Sequence, residues 1–368
     1  MKVPMLDLVG QYQTLRDEIM AEMNDIFNKQ AFVLGARVKK IEEEMARLAG
    51  VPYGIGVSSG TDALLLAVMA LDIQPGDEII TTPYSFFATA GSIVRAGAKP
   101  VFADVDPDTF NMNLDHSASL ISKKTKALLP VHLFGQMIEP KPWQSLAEKH
   151  NLTLIEDAAQ AVGASRNGVV AGGLGDIACF SFYPTKNLGG AGDSGMVLTK
   201  HAHLEKNIRE NRVHGGHDRY YHDRVGINGR MDEIQAAVLV AKFKHLNAWN
   251  KRRRSLAALY DQSLRNLPVQ TPVAAKDAYH TYHQYVIKAP RRDELMQFLR
   301  SKEIGCDVYY PVPLHLQKCF EFLGYRKGQL PVSEALAKET LALPISAELT
   351  EAQIDYVAGM ISEFYARS

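Results

Sequence analysis

Between residues 53 and 157 short continuous apolar runs alternate with stretches of helical periodicity. YGIGV precedes TDALLLAVMAL, DEIITT precedes FFATAGSIVRAG, KPVFADVD and KALLPVHLF follow, and WQSLAEKHN leads into LTLIED. No other feature constrains the fold as strongly. A strand that is apolar at successive positions has to be covered on both faces, and helices placed between such strands cover a mostly parallel sheet in that way. The expected class is α/β. In open sheets of this kind ligands bind beyond the carboxyl ends of the strands. Three places therefore become candidate chemistry: SSGTD (58–62) after the strand ending near Val57, EDAAQ (156–160) after LTLI, and the stretch opening after IACFSF.

Ahead of this block Val38, Ile41, Met45 and Leu48 recur at helical spacing and Gly50 ends the run, which predicts an amphipathic helix from about Ala36. A second region begins near Trp249, where MDEIQAAVLVAKFKHL gives way to WNKRRRSLAALY. There YHQYVIK and CDVYY read as strands and residues 293–302 and 351–366 as helices, an α+β pattern. The 368 residues suit about two domains. The expected division is 1–248 and 249–368, joined in one body without a long linker.

Lysine plus arginine and aspartate plus glutamate number 41 each, so no long-range field draws the chain to nucleic acid or anionic lipid. KRRR (251–254) reads as a solvated helix face. No stretch resembles a membrane span, and the charged opening MKVPMLDLVGQYQTLRDEIM lacks the apolar core of a secretory signal. Cys179, Cys306 and Cys319 are odd in number and form no disulfide or zinc spacing, which fits a reducing, cytoplasmic setting. Cys179, inside ACFSF, reads as core. In HGGH (214–217) two imidazoles stand three apart, but flexible glycines and no third ligand favour a loop beside a substrate mouth over a metal site.

Lys186 sits in FSFYPTKNLGGAGDSG, and a lysine after a strand is ordinarily a solvated group. Its neighbours point elsewhere: Gly189, Gly190, Gly192 and Gly195 let backbone pass close to a planar ligand, and Pro184 with the aromatic run dries the lysine stem. A desolvated amine has a lowered pKa and attacks carbonyls. Asp157, alone, reads as a helix cap for AAQAVG; opposite a pyridine-type ring it would keep the ring nitrogen protonated. SSGTD admits a plain N-cap or a phosphate site built from free N–H groups, to which Ser181 adds a hydroxyl. Phe86 is placed to lie against a planar cofactor, and Phe87 to point into the core. An amine, an acid, a phosphate cradle and an aromatic plate at strand ends together indicate a pyridoxal phosphate site.

With those residues in view the chain resembles the DegT/DnrJ/EryC1/StrS family of sugar aminotransferases. The likeness runs from PMLDL through FVLGARVKKIEEEMARLAG, SSGTDAL, PYSFFAT, IEDAAQAVGAS, FSFYPTKNLGGAGDSGMV and VGINGRMDEIQAAVL to YHQYVI, YYPVPLH and LALPI. The resemblance implies the fold-type-I pyridoxal phosphate architecture, with a mostly parallel, mixed seven-stranded sheet in the large domain and a smaller α+β domain. It implies that Lys186 joins the cofactor's aldehyde, Asp157 pairs with the pyridinium nitrogen and Gln160 reaches the phenolic oxygen. Gly60, Thr61 and Ser181 would hold the phosphate with Asn228 of a second subunit, in a homodimer with shared active sites, and Phe86 would take the stacking position. Relatives with histidine in place of the lysine are dehydratases; lysine stands here.

The expected reaction passes an amino group from an amino acid, glutamate, to a ketone on a hexose linked to a nucleoside diphosphate. Tyr310, His315 and Arg230 are the candidates for binding that substrate. Arg230 has a second reading, as an ion-pair partner of Asp232 or Glu233. Asp62 and the segment HDRYYHDRVGINGR are similar to relatives acting at carbon 3, with a 4-keto sugar as the alternative. Two rivals stand beside this: a regulatory or sensory protein that keeps the fold without turnover, and an ordinary amino-acid aminotransferase, for which YHQYVIKAPRRDE shows no clear carboxylate-binding arginine.

Overall fold

A computed structural model describes residues 1–218 and 220–367; Arg219, within HDRYYHDRVGINGR, and Ser368 lie outside the described residues. The apolar runs form β1 (Tyr53–Val57), β2 (Glu78–Thr81), β3 (Lys99–Phe102), β4 (Thr125–Leu129), β5 (Thr153–Asp157), β6 (Ile177–Ser181) and β7 (Gly195–Thr199). They make one seven-stranded sheet in the order β1-β7-β6-β5-β4-β2-β3. Strands β3, β2, β4, β5 and β6 are parallel neighbours, while β7 runs antiparallel to both β6 and β1. The α/β class expected from the apolar runs is what the chain adopts.

Each face of the sheet carries its own core. On one side Val38, Ile41 and Met45 of the Ala36–Ala49 helix pack with Leu154, Phe180 and Leu198. Gly50 caps that helix at φ 72°, in the left-handed region glycine enters without strain. On the other side the Gly60–Met69 helix packs with Ile55, Ile177 and Val197, and its residues 63–68 are buried without a break because the Ala88–Arg95 and Ala202–Arg212 helices cover it. Burying a Leu, Ile or Val side chain contributes about 1.5–3 kcal/mol. Cys179 lies in this core.

A third core gathers Leu256, Tyr260, Tyr285, Leu341 and Val357 with Val3 from the amino end of the chain. Its frame is the Leu246–Leu264 helix, the Glu351–Ala366 helix and two antiparallel strands, β8 (Tyr285–Lys288) and β9 (Thr340–Leu343). The expected division at 248/249 falls in the first turn of the Leu246–Leu264 helix.

Two local expectations are corrected here. CDVYY is not a strand: Asp307 makes one bridge to Ala342, and its side chain then accepts the N–H of Val308, which ends the pairing. The partner of YVIK is TLAL instead. KRRR is not a wholly solvated face either. Arg253 shares the buried side of its helix with Leu256, Ala257 and Tyr260, and it donates to the carbonyls of Ile345 (2.7 Å) and Tyr282 (3.3 Å). Burial draws its pKa down to about 10.

Candidate active site

At the carboxyl ends of the strands lies a cavity of about 570 Å³. Strand β1 and the following helix bring Ser59, Gly60 and Thr61 to it, the segment after β2 brings Phe86 and Thr89, β5 brings Asp157 and Gln160, and β6 brings Ser181 and Lys186. Tyr310 and His283 arrive from the second region. The three stretches singled out at strand ends therefore meet at one site.

Lys186 follows β6 in a loop held by its own backbone, its N–H donating to the Tyr183 carbonyl at 2.8 Å. The side chain keeps part of its surface open to the cavity, but the protein around it strips enough water to draw its pKa down to about 8, against the opposing pull of Asp157. An amine so placed is readily neutral and nucleophilic.

Asp157 ends β5, where successive side chains alternate between faces. Glu156 consequently points away, fully buried, and accepts the N–H groups of Gly172, Leu174 and Gly175 together with His132 Nε2 at 2.8 Å. Asp157 faces the cavity. Its Oδ2 accepts from the Thr89 hydroxyl (2.8 Å) and its Oδ1 from the Ala159 N–H (3.2 Å). Burial raises its pKa, and those two bonds with the nearby Lys186 hold the rise back by favouring the carboxylate.

Gln160 is oriented by the protein: its Oε1 accepts the Phe134 N–H and its Nε2 donates to the Tyr310 hydroxyl, both at 2.8 Å. One amide hydrogen remains for a ligand oxygen. At the head of the Gly60–Met69 helix Ser59 caps the N–H of Asp62 (3.0 Å), which leaves the N–H groups of Gly60 and Thr61 without intrahelical acceptors. A Cβ on Gly60 would come within 2.5 Å of the Ser181 Cβ, so only glycine lets that hydroxyl approach the helix head. Phe86 is 58 % exposed and 6.5 Å from the Tyr310 ring. Unfilled donors for a dianion, a buried acid, a desolvated amine and an open aromatic face fit pyridoxal phosphate.

Other expected residues lie elsewhere. Asn228 is exposed and Arg230 half-buried; their segment runs beside the end of β1, where Arg230 bridges Val57, but neither side chain lines this chain's cavity. Glu233, considered as a partner for Arg230, instead accepts the N–H groups of Gly35, Arg37 and Val38. His315 corrects the expectation of a substrate contact: it is buried, its Nε2 faces Glu334 at 3.1 Å, and it packs near Phe102 and Tyr325 outside the cavity. Phe87 does not enter the core, being 47 % exposed and stacked on Phe320 at 5.4 Å. The glycines after Lys186 serve close packing within the protein: a Cβ on Gly189 would strike the Pro184 carbonyl, one on Gly195 would lie 2.5 Å from the Ser59 carbonyl, and Gly190 and Gly192 face the Gln235 side chain. HGGH leads into a small exposed hairpin with His217 3.2 Å from Asp223, and the described residues contain no cluster suited to a metal.

The sequence reading missed Thr89, Tyr183 and His283. Thr89 stands three residues after Phe86, one helical turn on, and that spacing could have placed both on one side. Tyr183 lies within the aromatic run but is 51 % exposed beside the cavity.

Comparison with known proteins agrees with this geometry. A pleiotropic regulatory protein of Geobacillus stearothermophilus is 49% identical, covering 99% of each chain. A UDP-N-acetyl-3-dehydro-alpha-D-glucosamine 3-aminotransferase of Acidithiobacillus ferrooxidans is 44% identical over 98% of this chain and 97% of its own. The crystal structure of S. venezuelae DesV, in complex with a ketimine intermediate, superposes with a TM-score of 0.97 at 37% identity, covering 100% of this chain and 99% of that one. Residues 13–362 match one family profile, and on these grounds the chain belongs to the DegT/DnrJ/EryC1/StrS aminotransferase family.

Proposed function

We propose that this aminotransferase moves the amino group of L-glutamate to the carbon-3 ketone of a hexose carried on a nucleoside diphosphate. The observation that carries the carbon-3 reading furthest, beyond Asp62 and HDRYYHDRVGINGR, is the full-length relative at 44% identity whose name specifies a 3-dehydro sugar nucleotide. The cofactor of the family is pyridoxal phosphate, which when bound supplies an electron-accepting ring.

Lys186 would hold the aldehyde end of the cofactor and, as a free amine, would carry a proton on Nζ; its pKa of about 8 lets it gain and lose that proton near neutrality. Asp157, whose carboxylate form is favoured by the Thr89 and Ala159 bonds against the effect of burial, would face the ring nitrogen and favour its protonated form. Gln160 would donate to the ring oxygen, Gly60, Thr61 and Ser181 would bind the phosphate, and Phe86 would offer its face to the ring. Tyr310 lines the sugar side. Asn228 and Arg230, outside this chain's own cavity, are assigned to the cavity of a second subunit in a cytoplasmic homodimer. The large unit in this reading is 1–248 and the small one 249–368.

The test is to convert the cofactor with L-glutamate and then offer 3-keto and 4-keto sugar nucleotides. Return of the aldehyde-form absorbance with the 3-keto sugar is the expected result; return with the 4-keto sugar alone moves the assignment to carbon 4, and return with neither ends the sugar reading. A second reading, regulation without turnover, is favoured by the 49% identical relative being a pleiotropic regulatory protein by name. It predicts that glutamate leaves the spectrum unchanged.

A further inference from the structure

His283 belongs to YHQYVIK, far along the chain from Lys186, yet it lines the same cavity while only 5 % exposed. Its Nδ1 lies 3.1 Å from Oδ1 of Asn187, the residue after Lys186. Two main-chain carbonyls fix the direction of that bond. Asn250 donates through Nδ2 to the Val162 carbonyl at 3.1 Å, which turns its Oδ1 to Asn187 Nδ2 at 2.8 Å. Asn187 Nδ2 gives its other hydrogen to the Thr281 carbonyl at 3.2 Å. Carbonyls only accept, so Asn187 has only its oxygen left for His283, and Nδ1 must carry the hydrogen.

Burial, with the cations Lys186 and Arg253 nearby, holds the imidazole pKa well below its ordinary value and keeps the ring neutral. A neutral ring protonated at Nδ1 has a bare lone pair at Nε2. Among the described residues no protein donor meets that nitrogen.

We propose that His283 is a positioning residue for Lys186: its Nε2 accepts an N–H of the lysine amine whenever that amine is released from the cofactor, and so aims it across the cavity. The inference rests on the aminotransferase activity and is independent of which sugar is the acceptor. The relay Val162, Asn250, Asn187, His283 keeps one tautomer in place through turnover, and no proton has to move along it.

Nitrogen NMR of the holoenzyme labelled with 15N-histidine tests the tautomer, with the H283Q spectrum identifying the signal among the 12 histidines. A protonated Nδ1 and a bare Nε2 at pH 7 are expected; the opposite tautomer or a doubly protonated ring overturns the proposal. Single-turnover conversion with L-glutamate tests the role. H283F is expected to slow it by about 10- to 100-fold without weakening glutamate binding, while H283Q, which presents a carbonyl oxygen near the Nε2 position, recovers most of the rate. Wild-type speed in H283F, or equal losses in both variants accompanied by lowered melting temperatures, overturns it. If the wild-type enzyme itself ignores glutamate, the donor assignment fails, and the NMR result still decides the case for His283.

Discussion

Two cavities of about the same volume, roughly 570 Å³ each, lie at opposite ends of the same strands. The upper one, at the carboxyl ends, receives the head of the Gly60–Met69 helix, where N–H groups point outward. The lower one is lined by Ala70, Leu71 and Asn151 at the carboxyl ends of two helices, and by His201, His203 and Leu204 at the amino end of a third. Each holds a lysine near an aspartate. Above, Lys186 and Asp157 are both dried by the surrounding protein, and their protonation equilibria shift toward chemistry. Below, Lys200 is 4.0 Å from Asp176 with 41% of its side chain in solvent, a pair that water screens to about 0–1 kcal/mol. Cavity volume does not distinguish a reactive site from a surface cleft; the distinction lies in which charged atoms are dried and which fixed donors accompany them.

The sharpest way to break that contrast is to remove the amine. Lys186→Ala is expected to lower single-turnover amino transfer by more than about 10³-fold, and residual transfer at wild-type rate would place the chemistry elsewhere. Asp157→Asn keeps the shape and removes the charge; a loss of about 10²–10³ in the same assay is expected. Because the neutral amine is the reactive form, acylation of Lys186 in cofactor-free protein should rise with pH through about 8, read by peptide mass spectrometry; a midpoint in the ordinary lysine range would mean the site is wet. Thr89→Val deletes one donor to Asp157 and should cost about tenfold in rate. In the lower cleft Lys200→Ala should leave activity unchanged and shift stability by less than about 0.5 kcal/mol in urea titration.

How much of this was readable from the chain depended on sequence distance. The parallel sheet followed from runs such as KALLP and LTLIE, because burial on both faces is written into each strand alone. SSGTD, EDAAQ and the lysine loop were identifiable because the carboxyl end of a strand is a local position. Thr89 was legible only through its spacing from Phe86, since its partner Asp157 is 68 residues away and neither residue signals the other. His283 was similarly hidden in an ordinary strand segment, whereas Tyr310 was singled out in YYPVPLH even though CDVYY read as a strand, a pairing that Asp307 ends by turning its side chain onto the Val308 N–H. Arg253 was misjudged because three neighbouring cations suggested a wet face, although helical spacing aligned it with Leu256 and Tyr260. His315 stood in a motif near the mouth, but Glu334 holds it inside.

The antiparallel course of β7 limits how this enzyme can change. Gly195 is in register with Ser181 on one side and Val57 on the other, so the lysine loop is pinned where it leaves the sheet and where it returns. Inserting or deleting a single residue at the β7 end would exchange the faces of Met196, Val197 and Leu198, which now serve two different cores. Lineages are thus free to remodel the rim of the pocket and the irregular loop of residues 182–194 that carries the amine, whereas the register of β7 itself is fixed by both of its neighbours.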